Sequence, residues 1–331
     1  MTARNIVVAG AGILGLWQAF TLARGGHRVR LVEKSAEAFA RAASAYAGAM
    51  LGPFCETEAQ AAEVRAPGLD AIELWKRDFP GTVVAGTLVV APARDLPELD
   101  RFARLTEGHR RVEAAELATL EPDLGDRYGR GLFYPQEGHV DPMAAMAYLL
   151  AGARAAGCKI DFGIDWDNAH ATDDTLVIDC RGMGARQALP QLRGVRGERL
   201  VIETRDVSFS RPVRLLHPRH PLYVVPWSGN RFMVGATVIE SEDESPVTVR
   251  SALELLSLAY ALHPAFGEAQ VIEQGAGVRP SWPDNYPKIL PRGGVIHVNG
   301  SYRHGYLLAP ILAERVAAYL ANGTRDPLFF A

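Results

Sequence analysis

The sequence predicts an α/β protein in which a Rossmann-type dinucleotide-binding domain, discontinuous along the chain, is interleaved with a mainly antiparallel α+β domain. Three observations predict it. Residues 5–33 run strand, glycine turn, helix, strand, acidic residue; the middle of the chain and residues 271–331 return to strand-then-helix; and residues from about 195 to 270 alternate like antiparallel strands. With 331 residues, 48% of them apolar and 22% charged, the chain can bury a sizeable core and is long enough for two domains.

The N-terminal unit comes first. Asn5 to Ala9 carry the apolar run Ile6, Val7, Val8 of a buried parallel strand, and Gly10, Gly12 and Gly15 follow it. A helical pattern through Leu16, Phe20, Leu22 and Ala23 should stop at Gly25-Gly26, and a second strand, Arg28 to Val32, delivers Glu33 eighteen positions after Gly15. Gly10 permits the tight turn, Gly12 lets backbone N–H groups approach a pyrophosphate at a helix N-terminus, and Gly15 allows the helix to pack closely on the strand. Glu33 would accept hydrogen bonds from the adenosine ribose. A lone GxGxxG says little, but these elements in this order are a strong dinucleotide signal. The alternative, a glycine-rich turn in an unliganded domain, leaves the placement of Glu33 unexplained.

FAD and NAD both use this fingerprint, so the choice rests on a distant segment. Gly294 to Asn299 reads as a buried strand, Gly300 breaks it, and an apolar helix is expected from about Pro310 to Leu320, ended by Asn322-Gly323. The glycine-punctuated loop from Ser301 to Leu307 then feeds a helix N-terminus. Its donors and positive dipole end would face a ligand that accumulates negative charge, as a reduced flavin does.

The chain resembles the D-amino acid oxidase family of flavoproteins, and within it the glycine oxidases of thiamine biosynthesis. The resemblance covers nearly the whole length. It is carried by Ser44-Ala45-Tyr46-Ala47-Gly48-Ala49-Met50-Leu51, Gly138-His139-Val140-Asp141-Pro142, Asp179-Cys180-Arg181-Gly182, Leu222-Tyr223-Val224-Val225-Pro226, Val234-Gly235-Ala236-Thr237, Gly277-Val278-Arg279-Pro280, Tyr302-Arg303-His304-Gly305 and Leu307-Leu308-Ala309-Pro310. Two departures stand out: an extra residue between Ala47 and Met50, and Asp284-Asn285-Tyr286-Pro287 where the family has Asp-Gly-x-Pro.

The resemblance implies a non-covalent FAD site made of Gly10, Gly12, Ile13, Leu14, Gly15, Glu33 and Lys34, of Ala42, Ala43, Gly48, Ala49 and Met50, of Gly182, and of Gly300, Ser301, Tyr302, Arg303, His304, Gly305, Tyr306 and Leu307. It implies a D-amino acid oxidase-like architecture, with residues 1–53, 136–194 and 271–331 binding FAD and residues 54–135 and 195–270 binding substrate. The segment 54–135 reads as helical and charged. Asp141 is a candidate N-cap with Pro142 at the first helical position, Met143 to Ala156 form the helix, and Cys158 to Phe162 the next strand. Leu222 to Val225 and Arg231 to Val234 around Ser228-Gly229-Asn230 read as a hairpin.

For the substrate, the resemblance implies that Arg279 grips a carboxylate, Tyr223 hydrogen-bonds it, and Arg303 stands beside flavin and substrate. A guanidinium offers two parallel donors that match a carboxylate, and a phenol adds a third contact. Taken alone, Arg279 reads as an interdomain salt bridge, Tyr223 as packing and Arg303 as a solvated loop residue. The implied reaction is hydride transfer from Cα of a small amino acid (glycine, sarcosine or a D-amino acid) to flavin N5, giving an imino acid that water converts to a 2-oxo acid and ammonia, with molecular oxygen taken to hydrogen peroxide. No catalytic side chain is required; His139, His304 and Glu273 are assigned structural roles. Alternatives are a sarcosine or D-amino acid dehydrogenase with another electron acceptor and, more remotely, a nicotinamide-dependent enzyme or a non-catalytic nucleotide-binding protein. No second GxGxxG is present, and no Cys or His occupies the loop after Glu33 to attach a flavin covalently.

Composition narrows the setting. Thirty-five basic and 38 acidic residues, net −3, are mixed along the chain, so nucleic acid is not an expected partner. Cys55, Cys158 and Cys180 lack metal-ligand spacing and read as buried thiols in a reducing compartment. No apolar run approaches the roughly 18 residues that span a membrane, and no cleavable leader is expected. A cytoplasmic location follows as the expectation, and the family resemblance adds a homo-oligomer. No metal site is expected.

Overall fold

The chain's computed structural model describes residues 3–56, 62–166, 174–217 and 221–331. Asn5–Ala9 (β1) is buried from Ile6 onward, as a strand covered on both faces must be. Gly12 opens helix Ile13–Arg24 (α1), Gly25 closes it, and Arg28–Glu33 (β2) pairs in parallel with β1. A Cβ on Gly15 would run into the Gly10 carbonyl oxygen, so the helix seats on its turn because Gly15 has none. There follow Met50–Leu51 (β3), Arg65–Asp78 (α2), Thr87–Val90 (β4), Leu96–Leu105 (α3), Arg110–Glu113 (β5), Ala114–Leu120 (α4), Arg130–Tyr134 (β6) and Gly138–His139 (β7). Asp141 then caps Pro142–Ala155 (α5), accepting from the Met143 and Ala144 N–H groups at 3.0 and 3.1 Å.

The second half supplies Lys159–Phe162 (β8), Thr175–Asp179 (β9), Arg193–Glu203 (β10), Val213–Leu215 (β11), Leu222–Trp227 (β12) and Arg231–Gly235 (β13). Next come Val249–Leu262 (α6), Gln270–Ser281 (β14), Lys288–Arg292 (β15), Val295–Asn299 (β16) and Gly305–Asn322 (α7). One sheet has the order β15-β16-β9-β1-β2-β8, parallel except for the β15–β16 pair. The other has the order β14-β10-β13-β12-β11-β4-β6-β5 and is antiparallel except for β4 with β11. The β12–β13 hairpin turns through Gly229 and Asn230, both with positive φ (77° and 58°). Helices α1, α5 and α7 pack with the first sheet in one core that includes Trp17 and Trp75; α6 covers a second core on the larger sheet.

Four expectations are corrected. The segment 54–135 is not helical throughout: beside α2, α3 and α4, it sends β4, β5 and β6, each only four or five residues long, into the large sheet, where β4 pairs with the distant β11. Residues 195–270 include α6, whose buried Ser251, Leu255, Ala259 and Leu262 have helical spacing. The return to the small sheet comes after Ser281 rather than at residue 271, because β14 pairs with β10 along its length. Finally, α7 starts at Gly305 and contains Pro310. The Tyr306 carbonyl, which loses its helical partner because Pro310 has no N–H, accepts instead from Trp75 Nε1 at 2.7 Å. At the family's glycine position, Asn285 adopts φ 58°, a conformation asparagine tolerates. Among the described residues, no helix is long and apolar enough to cross a membrane.

Candidate active site

Strand β1 leaves the small sheet with β2 on one side and β9 on the other, and beyond the carboxyl ends of these strands lies the crevice where such sheets bind ligands. There a cavity of about 560 Å³ runs from the Gly10 turn to Tyr223 and Arg279 on the large sheet. Gly10 has φ 96°, and a Cβ on it would lie 2.9 Å from the Cys180 carbonyl oxygen, so only glycine fits this turn. The Glu33 carboxylate accepts from Ala11 N (2.7 Å) and Ser35 N (3.0 Å), which hold it at the end of β2 facing the cavity. Ser44 Oγ accepts from Ile13 N at 3.0 Å, at the N-terminus of α1.

The cavity gathers nearly all the expected cofactor residues: Gly10, Gly12, Ile13, Leu14, Glu33, Ala42, Ala43, Gly48, Ala49, Met50, Gly182 and the whole run from Ser301 to Leu307 line it. Three do not. Gly15 lies behind the turn; Gly300, at φ 76°, packs against the Trp282 indole; and Lys34 points to the surface, where it pairs with Asp165 at 2.9 Å because opposite charges face each other there. Ala49 and Tyr302, both lining the cavity, hold left-handed φ of 53° and 47°. Each costs about 1–3 kcal/mol and marks loops shaped for a purpose other than stability.

These residues fit FAD. The N-termini of α1 and α7 both open on the cavity, giving one positive dipole end for a pyrophosphate and one for an electron-accepting ring. A Cβ at Gly48 would strike the Met233 methyl, and one at Gly275 the Tyr46 ring, so glycine keeps the packing around this space close. His304, in the α7 turn, is buried with its Nε2 lacking a partner, and burial lowers its pKa to about 4, which keeps it a neutral imidazole.

At the far end stand the three expected substrate residues. Arg279, on β14, donates from Nη1 to the Thr237 carbonyl at 3.2 Å. Burial first, then the nearby Arg303 charge, lower its pKa to about 10, so its proton is less tightly held than in water. Arg303 Nη2 pairs with Glu56 Oε2 at 2.7 Å and donates to the Tyr223 hydroxyl at 3.3 Å. The buried Tyr223 ring lies under the Arg214 guanidinium at 5.0 Å, and desolvation pushes its hydroxyl well up, so it is a neutral phenol. Sequence reasoning missed Ser44, Glu56, Gly197, Arg214 and Met233 at or beside this site. Only Ser44 left a signal, as part of the segment that carries the resemblance. His139 does not line the cavity; Glu273 pairs with Arg199 at 2.8 Å.

Comparison with known proteins agrees with this geometry. Residues 5–319 match the family described as FAD dependent oxidoreductase. A protein named as a thiamine biosynthesis oxidoreductase, ThiO, in Rhizobium etli is 51% identical over 324 residues, covering 98% of each chain. The glycine oxidase of Geobacillus kaustophilus is 30% identical over 358 residues, covering 95% of this chain and 92% of that one. A crystal structure of glycine oxidase from Geobacillus kaustophilus superposes with a TM-score of 0.82 and 23% identity, covering 99% and 97% of the two chains, and shares the fold. A match that runs from β1 through most of α7, over a cavity whose glycines and helix ends suit the cofactor, means that this chain belongs to the FAD dependent oxidoreductase family.

Proposed function

We propose that the protein oxidises glycine or a similarly small amino acid, such as sarcosine or a D-amino acid, to the imino acid, which water converts to a 2-oxo acid and ammonia, or methylamine where the substrate is sarcosine. The observation that carries this reading is the Arg279 guanidinium at one end of a cavity whose other end is a dinucleotide cradle. Arg279 takes the substrate carboxylate, with Tyr223 and Arg303 beside it, and orients Cα toward the α7 end of the cavity. The cavity-lining cofactor residues named above would hold FAD, which when bound would supply the two-electron acceptor for the hydride leaving Cα. Because the Cα hydrogen leaves with its electron pair, no side chain of the cavity is needed as a base to remove it as a proton. Neutral His304 and un-ionised Tyr223 add no charge that would hold a proton on the substrate amine.

The small sheet with its helices forms the cofactor lobe and the large sheet the substrate lobe. Oxygen is the final acceptor and hydrogen peroxide the by-product, and the reaction serves thiamine biosynthesis, in keeping with the names of the similar proteins. The three buried free thiols suit the cytoplasm. Incubating the purified protein in air with a panel of amino acids, and measuring peroxide and 2-oxo acid together, tests this directly. Glycine or sarcosine should give both. Oxidation that needs an added quinone and yields no peroxide would reassign the protein as a dehydrogenase.

A further inference from the structure

At the Arg279 end of the cavity the chain sets one of its own carboxylates, Glu56, against Arg303. Arg279 and Arg303 are close enough that each charge acts on the other, yet they are partnered differently. Arg279 meets a backbone carbonyl and forms no ion pair among the described residues. Arg303 holds the Glu56 carboxylate at 2.7 Å, with the Glu56 side chain only 10% exposed, and its same nitrogen reaches the Tyr223 hydroxyl. Although burial raises the Glu56 pKa, Arg303 and then Arg214 outweigh it and keep the carboxyl below the ordinary range, hence ionised at neutral pH.

Glu56 is also pinned in place. The Phe54 and Cys55 N–H groups before it both donate to buried Glu137 Oε1, at 2.8 and 2.7 Å, and the Cys55 carbonyl accepts from Arg214 Nη1 at 2.6 Å. The carboxylate is therefore presented to Arg303 by a fixed backbone rather than by chance.

We infer that Glu56 sets substrate charge: its carboxylate fills the Arg303–Tyr223 position that a second acid group would take, so the site selects amino acids with one carboxylate. This deepens the amino acid reading above and rests on it. A substrate with a single carboxylate uses Arg279 and leaves the Glu56–Arg303 pair intact. One with two must either place a negative charge beside Glu56 or break a largely desolvated ion pair, and both are unfavourable.

The test uses the FAD-loaded protein and two ligands without an oxidisable amine: methoxyacetate and oxydiacetate, the oxygen analogues of sarcosine and iminodiacetate. Calorimetric titration reads their binding without turnover. The unsubstituted protein should prefer methoxyacetate. Glu56→Gln, which keeps the shape and removes the charge, should shift the ratio of the two affinities toward oxydiacetate by about tenfold or more. Glu56→Asp, which keeps the charge, should retain the original preference. Should Glu56→Gln fail to fold, Glu56→Ser is read by the same ratio. An unchanged ratio in the neutral variant, or a preference of the unsubstituted protein for oxydiacetate, overturns the inference. A shifted ratio in a protein whose flavin no amino acid reduces would leave the charge filter standing and defeat the amino acid oxidation reading alone.

Discussion

Gly197 on β10 lies directly against the Arg279 guanidinium: a Cβ at residue 197 would collide with Nη2 and Cζ of that side chain. The two residues sit on paired strands, with Gly197 opposite Gly277 and Arg279 opposite Val195, so the register of β10 with β14 decides where the guanidinium lies. What would be struck is the flexible end of an arginine, so the fold can absorb a methyl group and the guanidinium must move. Gly197→Ala should therefore lower kcat/KM for glycine by roughly 10- to 100-fold, as a displacement of about 1 Å can, while the flavin stays bound. Steady-state kinetics checks this, and unchanged kinetics would show that Arg279 is not held by that glycine.

Arg279→Ala removes the proposed carboxylate partner itself. Breaking one side of a desolvated charge pair costs on the order of 3–5 kcal/mol, so amino acid use should fall by roughly 100-fold or more. FAD stoichiometry, read from the visible spectrum, should not change. Full amino acid turnover by this variant would remove Arg279 from the substrate site.

Trp75 and Pro310 make a prediction about stability. Trp75→Phe keeps a ring in the core and removes the N–H that meets the Tyr306 carbonyl, leaving a buried acceptor unpaired at a cost of about 1–3 kcal/mol. Adding Pro310→Ala restores a helical donor for that carbonyl, so the double variant should lose less than the sum of the two single changes. Urea unfolding of the three variants measures the difference, and strict additivity would argue against the link.

Acid should reveal His139. Burial lowers its pKa to about 4, against the Pro226 backbone contact that raises it, from an ordinary value of 6.5. The folded state thus keeps it neutral while the unfolded chain takes up a proton. Its contribution is complete above pH 6.5 and is lost as the pH falls from 6.5 through about 4, a swing of about 3 kcal/mol. Glu137, whose carboxyl burial pushes up, acts in the opposite sense, so the comparison must be between variants. His139→Gln should lose less thermal stability than the unsubstituted protein between pH 7 and pH 4. Parallel curves would contradict the assignment.

The dinucleotide unit was legible in the sequence because each glycine answers a local backbone demand: Gly10 a positive φ, Gly15 a close approach. The loop before α7 was legible as a glycine-punctuated turn into a helix, but the helix start was placed late, since Pro310 reads as a first-turn residue until Trp75 is seen to serve the freed carbonyl. Strands β4, β5 and β6 were hidden because four or five residues are too few to show a strand's alternation, and because β4 pairs with β11, far away in the chain. Glu56 and Gly197 were invisible for the same reason at the scale of a site. One matters only beside Arg303, the other only beneath Arg279, and neither neighbourhood exists before the sheets pair.

The most direct measurement is the visible spectrum of the purified, FAD-loaded protein under anaerobic conditions as glycine or sarcosine is added. A flavin band near ~450 nm that bleaches on addition, and fails to bleach in Arg279→Ala, is the expected result. A protein that stays colourless when FAD is supplied, or whose band no amino acid bleaches, would contradict it.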